Sequence, residues 1–130
     1  MSSAGQRAQK TLWVAHIGGA GMLALIAAQL FGAPEFVRGF FTGLMLVIVL
    51  VLLIRRRDDE YLARLWNAGA ATAFTVTVVL TFYVGPIRGF IDGLRGVYDP
   101  TPPLSADAVG LTALFAFFLA FHLELLRDRP

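Results

Sequence analysis

Four apolar runs, each long enough to cross a lipid bilayer, constrain this chain more than any other feature. A transmembrane helix needs about 20 mostly apolar residues, because each residue adds about 1.5 Å and the hydrocarbon core is about 30 Å thick. Hydrophobic residues make up 57% of the 130 residues, more than a soluble domain of this length can bury. We therefore predict an all-α, polytopic membrane protein, a four-transmembrane-helix bundle in one membrane domain. The predicted spans are 12–31, 39–54, 61–84 and 106–126.

The first run has a second interpretation, since a basic start before an apolar stretch is also typical of a signal peptide. The run is longer than the apolar region of a signal peptide, and Gly18 and Gly19 interrupt it. No small-x-small cleavage motif follows it. We therefore expect 12–31 to be a span that stays in the chain.

One dense charge cluster, Arg55 to Tyr61, separates the second run from the third. Basic residues gather on the cytoplasmic side of membrane proteins, and they divide here into eight on the side of this cluster and three on the other. The eight are Arg7, Lys10, Arg55, Arg56, Arg57, Arg64, Arg127 and Arg129, and the three are Arg38, Arg88 and Arg95. The distribution predicts that loop 55–60 and both termini, 1–11 and 127–130, are cytoplasmic. Ten arginines against one lysine indicate GC-rich bacterial coding, so we predict the bacterial inner membrane.

The charge cluster itself has two interpretations. Its arginines are suited to anchor a helix end and to touch anionic lipid headgroups, and its acidic residues favour the start of the next helix. Alternatively, the loop is a contact surface for a cytoplasmic partner. That candidate contact loop consists of Arg55, Arg56, Arg57, Asp58, Asp59 and Glu60.

A different pattern follows the third run, which Gly85 and Pro86 are expected to end or kink. Apolar residues recur there at three- and four-residue spacing, next to a charged strip and a glycine strip. The pattern predicts a short amphipathic helix, 87–98, lying in the outer membrane interface. The apolar residues are Ile87, Phe90, Ile91, Leu94, Val97 and Tyr98, and the charged ones are Arg88, Asp92, Arg95 and Asp99.

Small residues, which let transmembrane helices approach closely, predict which spans pack. The first span has Ala20, Ala24 and Ala28 at four-residue spacing, the third has Gly69 and Ala73, and the fourth has similar residues. The second span has almost none. We therefore predict that spans one, three and four pack closely and that span two is peripheral.

No Asp, Glu, Lys or Arg lies in the middle of any span, which weighs against ion-coupled transport. What remains is a candidate polar layer near the cytoplasmic face, formed by His16, Asn67 and His122. Counting 1.5 Å per residue places all three within about one turn of the same depth. The histidines are open to four interpretations. They form interhelical hydrogen bonds, they face water near the interface, they sense pH, or they form a bis-histidine haem or metal site, although a zinc site requires further ligands.

The segment Arg56-Arg57-Asp58-Asp59-Glu60-Tyr61 leads through Leu65-Trp66 into an Ala-rich helix that ends in Thr81-Phe82-Tyr83-Val84-Gly85. Over residues 55–126 this resembles a group of uncharacterised small bacterial four-span inner-membrane proteins, in which an Arg-Arg-x-Asp-Glu-Tyr/Phe cytoplasmic loop precedes such a helix. The resemblance implies a four-span inner-membrane layout and no particular activity.

These features together predict a non-enzymatic protein without a cofactor or a nucleic-acid partner. We expect an accessory or scaffold subunit in the lipid bilayer, as a homo-oligomer or in a larger membrane complex. One alternative is a small oligomeric transporter or channel subunit, and another is a bis-histidine haem electron-transfer subunit. The transporter pathway would run along Thr72, Thr75, Thr77 and Thr81.

Overall fold

The computed structural model describes residues 3–97, 102 and 104–128, and within them all regular secondary structure is helical. Four helices are long and apolar enough to cross a membrane, by length and composition. The predicted all-α fold with four such helices is therefore confirmed, and it fits a multi-pass membrane protein. The elements are α1 (Ser3–Leu30), α2 (Glu35–Arg55), α3 (Glu60–Val78), a π-helical turn (Val79–Tyr83), α4 (Val84–Leu94) and α5 (Ala106–Arg127).

Local chemistry explains where several helices begin and end. Asp59 precedes α3, and its side chain accepts the backbone N–H of Tyr61 at 2.8 Å. Ser105 does the same for α5, because its hydroxyl accepts the N–H of Ala108 at 3.1 Å. Both are N-caps that satisfy a backbone donor left open by the first helical turn. Gly32, just after α1, has a φ of 65°, a conformation that glycine adopts without strain.

The bundle has two ends, which we name by the segments they carry. The terminal end carries the start of α1, the charge cluster and the end of α5, where Arg64 pairs with Asp128. The distal end carries the end of α1, the start of α2 and the start of α5, which surround a common cleft.

The four long helices pack as two pairs, α1 with α2 and α3 with α5, and a smaller contact between α1 and α5 joins the pairs. Glycines make each contact close. A Cβ on Gly69 of α3 would stand 2.8 Å from the ring of Phe117 and 2.9 Å from its carbonyl oxygen on α5. A Cβ on Gly18 of α1 would stand 2.6 Å from Phe118 of α5 and 2.8 Å from Ile48 of α2.

The prediction that the second span is peripheral is wrong. Met45, Ile48 and Leu52 of α2 are buried in the core against α1, and the side chain of Met45 fills the space beside Gly21. The small residues of this interface are on α1, and large side chains of α2 fill the space beside them. Ala20, by contrast, is exposed.

The helix does not stop at Gly85 and Pro86. A π-helical turn connects α3 to α4 without a gap, and the N–H of Val84 bonds to the carbonyl of Val79, five residues earlier. Proline lacks an N–H and its ring would clash with the carbonyl four residues before it, so a wider turn lets the helix pass. The amphipathic segment is therefore α4, Val84–Leu94, rather than a separate helix over 87–98. Tyr98 and Asp99 lie outside the described residues.

The joined helix, Glu60–Leu94, has 35 residues and is about 50 Å long at 1.5 Å per residue. The neighbouring α5 has 22 residues, or about 33 Å. Because α3 and α5 lie side by side, α4 extends past the distal end of the bundle. None of its residues is buried.

Candidate functional site

The structure brings two of the three predicted polar-layer residues into contact. The Nδ1 of His16 on α1 lies 3.3 Å from the Nε2 of His122 on α5, and the ring centroids are 5.3 Å apart. Trp13 stands edge-on to His16, with ring centroids 6.4 Å apart. The histidines therefore join the α1–α2 pair to the α3–α5 pair.

The hydrogen bonds define which nitrogen carries each proton. His122 Nδ1 lies 2.7 Å from the carbonyl oxygen of Phe118, and because a carbonyl only accepts, Nδ1–H is the donor. In a neutral imidazole the other nitrogen is then an acceptor, so His122 Nε2 accepts from Nδ1–H of His16. The result is a short chain of two imidazoles that ends on a backbone carbonyl.

A glycine makes room for this contact. A Cβ on Gly19 of α1 would lie 3.0 Å from Cε1 and 3.3 Å from Nε2 of His122. His122 therefore lies directly against the α1 backbone, one turn along from His16. Phe118 sits one turn before His122 on α5 and fills the space beside Gly18 in the same way.

Asn67, the third predicted member, does not join the pair. It is exposed on α3, and no hydrogen bond links it to any described residue. Gly69, two residues on, faces α5, and residues two apart on a helix point about 200° apart. Asn67 shares the predicted depth of the histidines but lies on the opposite side of its helix.

The geometry of the pair is that of a direct hydrogen bond. A haem bound by both histidines would need its macrocycle between the two rings. At 3.3 Å between the nitrogens, it does not fit without separating α1 from α5. Within the described part of the chain, no group of three or more metal-ligating side chains occurs.

The predicted contact loop lies at the terminal end, and its residues have different surroundings. Asp59 is the α3 N-cap, and the guanidinium of Arg56 lies over the ring of Trp66, 5.8 Å from its centroid. Arg57 is exposed. Arg55, Asp58, Asp59 and Glu60 line an open cleft with Arg7 of α1. Asp59 and Arg56 thus have structural roles, and the others remain available for contact.

Three of the four threonines proposed for a transport pathway have their hydroxyls occupied. Those of Thr72, Thr75 and Thr77 each bond to the carbonyl four residues earlier at 2.8 Å. Such bonds satisfy a hydroxyl inside a membrane without a partner helix or water. Thr72, Thr75 and Thr81 are exposed on the outside of the α3 helix and its π-turn.

One face of α4 is an exposed apolar surface. Phe90 and Leu94 have 68% and 74% of their surface exposed, and Ile87 and Ile91 are exposed beside them. Nothing lies within 4 Å of a Cβ added at Gly85, Gly89 or Gly93. The apolar face of α4 therefore extends from the bundle with its side chains exposed.

Sequence reasoning missed the roles of two sets of residues. Gly18 is interpreted from the sequence only as an interruption of a span, and Gly19 also as a small packing residue, but neither is linked there to Phe118 or His122, the side chains that each contacts. Arg38 was counted only as a charge on the distal side, yet its Nε is buried and has no hydrogen-bond partner within the described chain.

Comparisons with models of known families, with curated proteins and with solved structures found no match to this chain.

Proposed function

We propose that this protein is a non-enzymatic membrane scaffold whose copies assemble with one another through α4. The observation that carries the proposal is the position of α4, an amphipathic helix that continues α3 past the bundle and buries none of its residues. A helix of this kind is unstable alone in water unless its apolar face is covered.

The free energy available at this face favours assembly. The joined helix is about 50 Å long, and the hydrocarbon core is about 30 Å thick, so part of α4 lies beyond the lipid tails when α3 crosses the membrane. Burying the side chains of Phe90 and Leu94 is worth about 1.5–3 kcal/mol each. Arg88, Asp92 and Arg95 lie on a separate face of the helix and stay in water while the apolar face is covered.

A second copy is the partner that fits the apolar face best. Copies that insert in one bilayer in the same orientation hold their α4 helices at the same height. The apolar face of α4 in one copy then contacts the same face in the next copy. A different protein would need an apolar helix at the same height relative to the membrane. Gly89 and Gly93 border this face and allow close approach of backbones.

The subunit count of the purified protein tests the proposal. Native mass spectrometry in mild detergent should give an oligomer, and Phe90→Gln and Leu94→Gln should each shift it towards monomer by about tenfold in association constant. Arg88→Gln, on the charged face, is the matched control and should leave the oligomer intact. A monomer for the unchanged protein, or equal effects of the three variants, contradicts the proposal. Co-purification of one different chain in fixed ratio would support an accessory subunit instead.

The proposed location is the bacterial inner membrane, with the terminal end in the cytoplasm. The support is the excess of basic residues at that end, where Arg7, Arg55 and Arg64 lie. An alkaline phosphatase fusion after residue 58 should be inactive and one after residue 97 active, since this reporter folds only outside the cytoplasm. The reverse pattern overturns the orientation.

A further inference from the structure

A polar cleft of about 530 Å³ opens at the distal end, among the end of α1 and the starts of α2 and α5. Its polar side chains include Gln29, Glu35, Arg38 and Asp107, and its inner wall is formed by Leu25, Leu111 and Leu114. The volume is in the range of small-molecule sites. The cleft is separate from the histidine pair and from α4.

Arg38 is the charged residue of the cleft that has an unsatisfied hydrogen-bond donor. Its Nε is buried without a hydrogen-bond partner within the described residues, although Glu35 and Asp107 line the same cleft. The ion pairs among the described residues are Arg64 with Asp128 and Arg127 with Glu124, so neither Glu35 nor Asp107 forms a direct ion pair with Arg38. A guanidinium has five N–H donors in a fork that matches a phosphate, so Arg38 can bind an anion in the cleft through its terminal nitrogens.

We propose that this cleft binds one phospholipid with a phosphoethanolamine headgroup. Arg38 donates to the phosphate, and the primary ammonium donates to the carboxylates of Glu35 and Asp107. An acyl chain lies along Leu25, Leu111 and Leu114.

The charges decide the class of headgroup. One arginine and two carboxylates give the cleft a formal charge of +1 − 2 = −1, which disfavours a lipid that brings only a negative charge. A zwitterion brings a phosphate for the arginine and a cation for the carboxylates. A primary ammonium has N–H donors, whereas the quaternary ammonium of choline has none, so ethanolamine should bind more tightly than choline.

The bound lipid would also connect the two helix pairs. The cleft lies between α2, which packs on α1, and α5, which packs on α3. A headgroup held by Arg38 on α2 and Asp107 on α5 therefore bridges the pairs at the distal end, as His16 and His122 do towards the terminal end.

Native mass spectrometry of the purified protein, titrated with lipids of identical acyl chains, tests the proposal. One phosphatidylethanolamine should bind per chain, about tenfold tighter than phosphatidylcholine or phosphatidylglycerol. Equal retention of the three lipids, or a preference for phosphatidylglycerol, overturns the proposal. This comparison needs no variant and so does not depend on the folding of one.

Two substitutions then locate the site. Arg38→Gln and Asp107→Asn should each weaken phosphatidylethanolamine binding about tenfold and abolish the headgroup preference. Arg88→Gln, which removes the same charge on α4, should leave affinity and preference unchanged. If Arg88→Gln weakens binding as much as Arg38→Gln, the lipid is held by general surface charge and the assignment to the cleft is wrong.

Discussion

Two groups of glycines distinguish the inside of the bundle from its projecting helix. Gly18 and Gly69 each lie so close to a side chain of a facing helix that an added Cβ would stand less than 3.0 Å from it. Gly85, Gly89 and Gly93 have nothing within 4 Å. Both groups occur in apolar helices, where small residues normally mark close helix contacts.

The two groups differ in whether a side chain of the same chain contacts the glycine. Around Gly18, Gly19 and Gly69, the partners Phe118, His122 and Phe117 come from α5 of the same chain. Around Gly85, Gly89 and Gly93 of α4, no described residue makes such a contact. The helix contacts of the bundle thus form within one chain, and α4 is the part for which we propose a partner in another copy.

The largest expected effect comes from placing the same methyl group in each environment. Gly69→Ala should lower the free energy of unfolding by about 1–3 kcal/mol, because the added methyl meets the carbonyl of Phe117 as well as its ring. In a monomeric preparation, Gly89→Ala is the matched control and should cost nothing, or gain up to about 1 kcal/mol from helix propensity. Unfolding in SDS-containing mixed micelles measures both, and equal changes would remove the distinction between the two glycine groups.

A smaller effect is expected at the histidine pair. A double-mutant cycle of His16→Ala and His122→Ala should give a coupling energy of about 0.6–1.7 kcal/mol, typical of hydrogen bonds between membrane helices. The cycle of Asn67→Ala with His122→Ala should give no coupling, since Asn67 is on the far side of α3. Coupling of His122 to Asn67 rather than to His16 would contradict the contact described here.

The two neighbouring arginines of the charge cluster provide a finer test. Arg56→Gln should destabilise the protein by about 0.5–1 kcal/mol, because Arg56 lies over the Trp66 ring. Arg57→Gln removes the same charge from an exposed side chain and should change stability by less than about 0.5 kcal/mol. Tryptophan fluorescence during unfolding reports both, and a larger effect at Arg57 would exclude the cation–π contact as a source of stability.

The smallest effect on the folded monomer is expected on α4. Leu94→Gln should change the monomer's free energy of unfolding by less than about 0.5 kcal/mol, because the side chain of Leu94 is already exposed. The same substitution in the core, Leu65→Gln, should cost more than about 2 kcal/mol, since Leu65 is fully buried. A large loss at Leu94 in a monomeric preparation would mean that α4 packs on its own bundle.

The number of helices and the depth of the histidines could be predicted from the sequence, because both depend only on distance along the chain. Apolar length determines a span, and 1.5 Å per residue places His16, His122 and Asn67 at one depth. Which of them meet depends on the direction each side chain points around its helix relative to the neighbouring helices. That is a property of the packed bundle, and Asn67 was therefore grouped with residues it does not touch.

The packing and the path of the third helix were harder to predict for related reasons. Small residues on α1 were taken to require small residues on the partner, whereas Met45 and Ile48 of α2 fill the glycine positions with flexible or branched side chains. Pro86 was expected to end or kink a helix, and a π-helical turn instead absorbs its missing hydrogen bond. The burial of Arg38 Nε could not be predicted either, because it depends on how the helix ends pack.

The central claim, that α4 is covered by α4 of another copy, is tested most directly by cysteine cross-linking in native membranes. The chain has no cysteine, so single substitutions at each position of α4 report on one site each. Cu-phenanthroline oxidation should give disulfide-linked dimers of the chain at Phe90 and Leu94 and little at Arg88 and Asp92, with the periodicity of a helix face. Uniform cross-linking along α4, or none at Phe90 and Leu94, would contradict the claim.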